Sequence, residues 1–96
     1  MPPSGKPFSH ANTREFGLWV AENRVYPSVA QDNRVEGCVL VSFVVTKEGK
    51  VTNVKVLRGV DPELDREAVR VISNSPLWEK GYANVEYKHP VTFQLR

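Results

Sequence analysis

Between Glu36 and Arg58 the chain keeps a strict alternation. Val39, Val41, Phe43 and Val45 take turns with Leu40, Ser42, Val44 and Thr46. A two-residue period places the first set on one face of a strand. A polar turn, Thr46-Lys47-Glu48-Gly49-Lys50, follows, and Gly49 can adopt a positive φ there at little cost. Val51, Val54 and Val56 supply the return strand. The pattern predicts a hairpin over Gly37 to Thr46 and Val51 to Arg58. The last stretch alternates again, with Val85, Tyr87, His89, Val91, Phe93 and Leu95 against Glu86, Lys88, Pro90, Thr92 and Gln94. It predicts a third strand, Val85 to Leu95. Pro90 cannot donate a ladder hydrogen bond, so this strand belongs at a sheet edge with the Pro90 nitrogen facing outward.

Elsewhere the period is helical. Over Asn12 to Val25, residues Phe16, Trp19, Val20 and Asn23 share one face. Asn12 can cap the start, with Glu15 reaching back to it. Gly17 weakens this helix by roughly 1 kcal/mol relative to Ala. Trp19 is expected to cover the core. Tyr26-Pro27 ends the helix, because proline disfavours the α conformation at the residue before it. Pro27 can then open a short helix, Ser28 to Asn33, with only Val29 and Ala30 apolar. Asp61-Pro62-Glu63 is the strongest helix start in the chain: a cap, a first-turn proline and an acid at the positive end of the helix dipole. In that helix Leu64, Ala68, Val71 and Ile72 form the apolar arc. Glu63, Arg66, Glu67, Arg70 and Asn74 lie opposite and read as a solvated face. Ser75-Pro76 stops the helix, and Trp78 is expected to pack over its end.

The order helix, short helix, strand, strand, helix, strand predicts an α+β fold. Its architecture is a two-layer sandwich: a three-stranded antiparallel sheet in the order 2-1-3, with helices on one face. Residues 1 to 11 carry Pro2, Pro3, Pro7, Ser4, Ser9 and Gly5. This segment reads as a flexible linker remnant, leaving residues 12 to 96 as the domain.

Composition narrows the chemistry. At 96 residues the chain suits one domain. A domain of this length buries roughly two-thirds of its unfolded surface. The net charge is +2, with no basic run or stripe, which argues against nucleic acid. A single cysteine, Cys38, cannot form an internal disulfide, and no Cys/His cluster has metal-ligand spacing. Gly49 and Gly59 are isolated turn glycines, not a phosphate loop. Asp61 and Asp65 are accounted for by the helix start. Cys38 with His89 is the nominal Cys/His pair. Cys38 reads as a small, partly buried strand residue, and His89 as a strand residue near the edge proline. The expectation is therefore a non-enzymatic module with no cofactor. The remaining candidate is the edge strand, where an extended peptide could add beside Val91, Thr92, Phe93, Gln94 and Leu95. Pro90, Lys88 and Arg96 would instead blunt that edge against pairing.

A set of motifs carries a resemblance. Tyr26-Pro27-x-x-Ala30, Val35-Glu36-Gly37-x-Val39, Phe43-x-Val45-x-x-x-Gly49-x-Val51 and Val54-x-Val56-Leu57 are followed by Leu64-Asp65-x-Glu67-Ala68, Trp78 and Pro90-Val91-Thr92-Phe93. Their order and spacing resemble the C-terminal domain of TonB-type energy transducers. The resemblance implies the same sandwich fold. It implies a periplasmic place in a Gram-negative bacterium, with tethering to the inner membrane through an upstream helix and a spacer. It also implies a partner: the TonB box of an outer-membrane transporter, added as a strand along Val91 to Leu95, with Tyr26 and Pro27 nearby. Force drawn from the proton gradient by an inner-membrane motor complex would then reach the transporter. The chain departs from the family pattern at Trp78-Glu79-Lys80-Gly81, where Trp-x-Pro-Gly is usual, and in a short loop before Val85. A shorter loop could favour strand exchange between two copies. The alternative reading is a C-terminal sensor or docking domain of a membrane-bound peptidase or signalling protein.

Overall fold

In the computed structural model, which describes residues 8, 13–80 and 84–95, six elements follow one another. They are α1 (Arg14–Asn23), α2 (Ser28–Asp32), β1 (Gly37–Val45), β2 (Val51–Arg58), α3 (Pro62–Ser73) and β3 (Val85–Phe93). The sheet order is β2-β1-β3, with β1 antiparallel to both neighbours. The expected fold class and strand order are thus the observed ones.

The alternation in β1 works as expected. Val39, Val41, Phe43 and Val45 are all buried, and they join one core cluster with Phe16, Trp19 and Val20 of α1 and Leu64, Ala68, Val71 and Ile72 of α3. The hairpin turns at Gly49, whose φ is +87°. The start of α3 also forms as expected, with the Asp61 carboxylate accepting from the Glu63 N–H at 3.0 Å and Pro62 in the first turn.

Several expectations need correction. Helix α1 begins at Arg14, with Thr13 at the capping position and no side-chain cap bond; Asn12 lies outside the described residues. It stops at Asn23 because Arg24 is already extended, at φ −68° and ψ 139°. Pro27 sits before α2 as its cap, also extended, not inside the helix. Glu67 is not solvated. It is 8% exposed, accepts from the Val25 N–H at 2.6 Å and pairs with Arg70 at 2.6 Å. A carboxylate can be buried this way because both its charge and its lone pairs are met.

Phe8 departs most from the linker expectation. It is fully buried, its N–H donates to the Leu77 carbonyl at 3.1 Å, and its carbonyl accepts from the Glu79 N–H at 2.8 Å. Its ring meets Phe16 edge-on at 5.4 Å and Trp78 at 5.8 Å. Trp78 therefore does more than cover a helix end. It joins Phe8, Phe16, Phe43 and Tyr87 in an aromatic cluster, and its backbone N–H donates to the Gly49 carbonyl at 2.7 Å.

Candidate functional site: the outer edge of β3

The sheet has two edges, and they differ. Along β2 the pairing with β1 slips twice, between Leu40 and Val41 and between Ser42 and Val44, and Asn53 takes a φ of +51°. Such bulges bend a strand and spoil its edge as a template. Along β3 the register with β1 runs unbroken from Gly37↔Phe93 to Val45↔Val85. The β3 edge is the regular one.

The Thr92 carbonyl shows which way this edge faces. It accepts a hydrogen bond from Arg24 Nε at 2.6 Å, a side chain, where a neighbouring strand would otherwise supply an N–H. Because peptide groups in an antiparallel ladder alternate in direction, Glu86, Lys88 and Pro90 turn their groups outward with Thr92. The proline therefore stands where its missing N–H costs no ladder bond.

Helix α1 flanks this edge. Gly17, Val20, Ala21 and Arg24 face His89, Pro90, Val91 and Thr92 across a groove of about 260 Å³. Gly17 and Ala21 keep the helix side of the groove shallow. A Cβ placed on Gly17 would reach 3.4 Å from His89 Cε1. The His89 ring lies edge-on to Phe16 at 5.2 Å, and burial holds its pKa below the ordinary value.

The anticipated partner residues fall into four groups. Val91 and Phe93 are buried, so their side chains belong to the core. Thr92 and Gln94 are exposed, and Thr92 carries the outward peptide group. The strand ends at Phe93, short of the expected Leu95, so Gln94 and Leu95 lie beyond it, and the Leu95 N–H donates to Glu36 Oε1 at 2.6 Å. Tyr26 packs edge-on to Phe93 at 5.5 Å and donates its hydroxyl to the Val35 carbonyl, which holds the Tyr26-Pro27 segment against the end of β3. Arg24 escaped the sequence reading. Its role depends on a contact with Thr92 across the fold, which no local pattern records.

The nominal Cys38–His89 pair does not meet. Cys38 pairs in register with Thr92 and His89 with Val41. Directly opposed residues share a face, so Cys38 stands on the face opposite to His89. Cys38 is also exposed, not partly buried. A second recess, of about 350 Å³, lies among Val25, Pro27, Glu63, Arg66, Glu67 and Arg70. Its charges already answer one another, Glu63 with Arg66 at 3.7 Å and Glu67 with Arg70, so it is the weaker candidate. No helix among the described residues is long and apolar enough to cross a membrane.

The family model described as the Gram-negative bacterial TonB protein C-terminal region matches residues 22–95. The chain belongs to the TonB C-terminal family. TonB of Helicobacter pylori is 35% identical over 78 residues, which covers 79% of this chain and 27% of that protein. TonB of Pseudomonas aeruginosa is 33% identical over 66 residues, covering 68% of this chain and 19% of that one. The chain thus spans about a quarter or less of the length of these relatives. Two solution structures of the Helicobacter pylori TonB C-terminal domain share its fold. One has a TM-score of 0.73 at 32% identity, covering 82% of this chain and 76% of that one. The other has a TM-score of 0.68 at 28% identity, covering 83% and 89%.

Proposed function

We propose that this TonB-family domain is the periplasmic, non-enzymatic binding module of an energy transducer, and that it grips the TonB box of an outer-membrane transporter by strand addition to β3. The supporting observation is the regular outer edge of β3, whose Thr92 carbonyl accepts from the Arg24 side chain. An extended peptide laid there would gain main-chain hydrogen bonds from Glu86, Lys88 and Thr92, with α1 reading its side chains. Tyr26 and Pro27 would border the peptide at the Phe93 end. An upstream inner-membrane tether and motor complex would supply force derived from the proton gradient, and the domain would pass it to the transporter. The match to TonB proteins favours this reading over a sensor domain on a peptidase. A strand-exchanged homodimer would use the same edge and compete with the peptide.

The test is a titration of the isotopically labelled domain with TonB-box peptides from the transporters of its own organism. Amide shifts concentrated on Glu86 to Leu95 are expected. Saturating peptide that leaves these amides unmoved would rule the proposal out.

A further inference from the structure

Phe8 is held by both its main chain and its side chain. Its N–H donates to the Leu77 carbonyl at 3.1 Å and its carbonyl accepts from the Glu79 N–H at 2.8 Å, so it bridges Trp78 in parallel. Its ring is fully buried and meets Phe16, Trp19 and Trp78 at 5.4, 6.4 and 5.8 Å.

Trp78 passes this hold to the sheet. Its backbone N–H donates to the Gly49 carbonyl at 2.7 Å, and the Gly49 N–H donates to the Thr46 carbonyl at 2.8 Å. The Trp78 ring lies 6.1 Å from Phe43 of β1 and 4.9 Å from Tyr87 of β3. Phe8 is thus joined to the β1–β2 turn and to two strands by a route that does not run through α1.

Thr13, the next described residue, has no such hold. It is exposed, and its side chain makes no cap bond at the start of α1. The first turn closes through the Gly17 N–H on the Thr13 carbonyl at 3.0 Å, and glycine is a weak helix former. A pull applied at Thr13 breaks the helix bonds one after another from this end. It strips away Gly17, Val20, Ala21 and Arg24, the helix wall of the groove beside β3. A pull applied upstream of Phe8 meets a different barrier. It must break both main-chain bonds and extract a buried aromatic ring before α1 takes any load.

We propose that Phe8 is the point where load from the upstream chain enters the fold, and that by handing this load to Trp78 and the β1–β2 turn it keeps tension off α1 while a strand is held on β3. The use of the clamp rests on the tethered, strand-adding reading above; the clamp itself is a property of the free domain.

Single-molecule pulling at constant force tests it. All variants carry Cys38→Ser, and one handle is fixed either upstream of the clamp through Met1→Cys or beyond it through Thr13→Cys. The second handle is on a TonB-box peptide or, for the free domain, at Gln94→Cys. Peptide lifetime under load should be at least about tenfold longer from the Met1 handle than from the Thr13 handle, because forced opening follows the barrier crossed first. Affinity without load should be the same for both. In the free domain, the Thr13 handle should give an early extension step from α1 that the Met1 handle lacks. Phe8 is intact in both arms, so a loss of stability cannot imitate the result. Phe8→Ala pulled from Met1 should shorten the lifetime to that of the Thr13 handle. Equal lifetimes from the two handles, or the same early α1 step from Met1, would overturn the clamp. If no peptide binds even without load, strand addition fails, and the free-domain steps alone decide the clamp: an early α1 step confined to the Thr13 handle upholds it, and one shared by both handles overturns it.

Discussion

Gly49 meets two demands that a side chain cannot meet. Its φ is +87°, and a Cβ there would stand 2.1 Å from the Trp78 carbonyl oxygen. A left-handed conformation alone costs a non-glycine residue about 1–2 kcal/mol, and the clash falls on backbone that is itself bonded to Gly49. Gly49→Ala should therefore cost at least about 2 kcal/mol, seen as a lower urea midpoint with unchanged m-value. His89 makes a different prediction. Burial lowers its pKa, so the folded domain favours the neutral ring. Between its folded value and about 6.5 the unfolded chain binds more protons. Stability is then full above that window and falls as the pH drops through it. His89→Phe should flatten this slope, measured by urea unfolding at about pH 7.5 and about pH 5.5. Both residues stood out in the sequence, Gly49 as a turn glycine and His89 as a strand residue near the edge proline. What each touches did not, because Trp78 and Phe16 arrive from distant parts of the chain.

Elements formed where the sequence carried local signals. The two-period of β1 and β3 and the Asp61-Pro62-Glu63 start of α3 depend on neighbours a few residues away, and they appear in the fold nearly as read. Glu67 shows the limit. On a helical wheel it belongs with Glu63, Arg66 and Arg70, yet it is buried because α1 ends above it and presents the Val25 N–H. The bond ties α3 to the segment carrying Arg24, Tyr26 and Pro27. Glu67→Gln should cost about 1–3 kcal/mol, since it weakens a charge-assisted bond to a buried donor and leaves Arg70 without its anion. It should also move the Val25 and Arg24 amide resonances more than those of β2. A uniform loss of stability with Val25 and Arg24 unmoved would mean that the bond does not position this segment. The edge was legible in outline through Pro90; the irregular β2 edge leaves a trace at Asn53, where the apolar spacing widens from two to three between Val51 and Val54 and the backbone turns to positive φ.

At the scale of the molecule, the hairpin that dominates the sequence pattern is a platform. One face of β1 anchors α1 and α3, its second neighbour is β3, and the regular edge lies on β3. The fold also reaches further toward the N-terminus than composition suggests. Phe8 lies among prolines and small residues, yet it closes the aromatic cluster. A single large apolar residue has no period, so pattern reading passes over it. Phe8→Ala should cost about 3–5 kcal/mol, measured by denaturant unfolding; a change within 0.5 kcal/mol of zero, typical of a surface position, would contradict its place in the core. The central claim is that β3 receives a strand. Amide hydrogen exchange on the domain bound to a TonB-box peptide tests it most directly, because the outward N–H groups alternate with those already bonded to β1. Added protection on Glu86, Lys88 and Thr92, with little change at Tyr87, His89 and Val91, is the predicted result. Protection appearing on β2 instead, or none along β3 at saturating peptide, would contradict the claim.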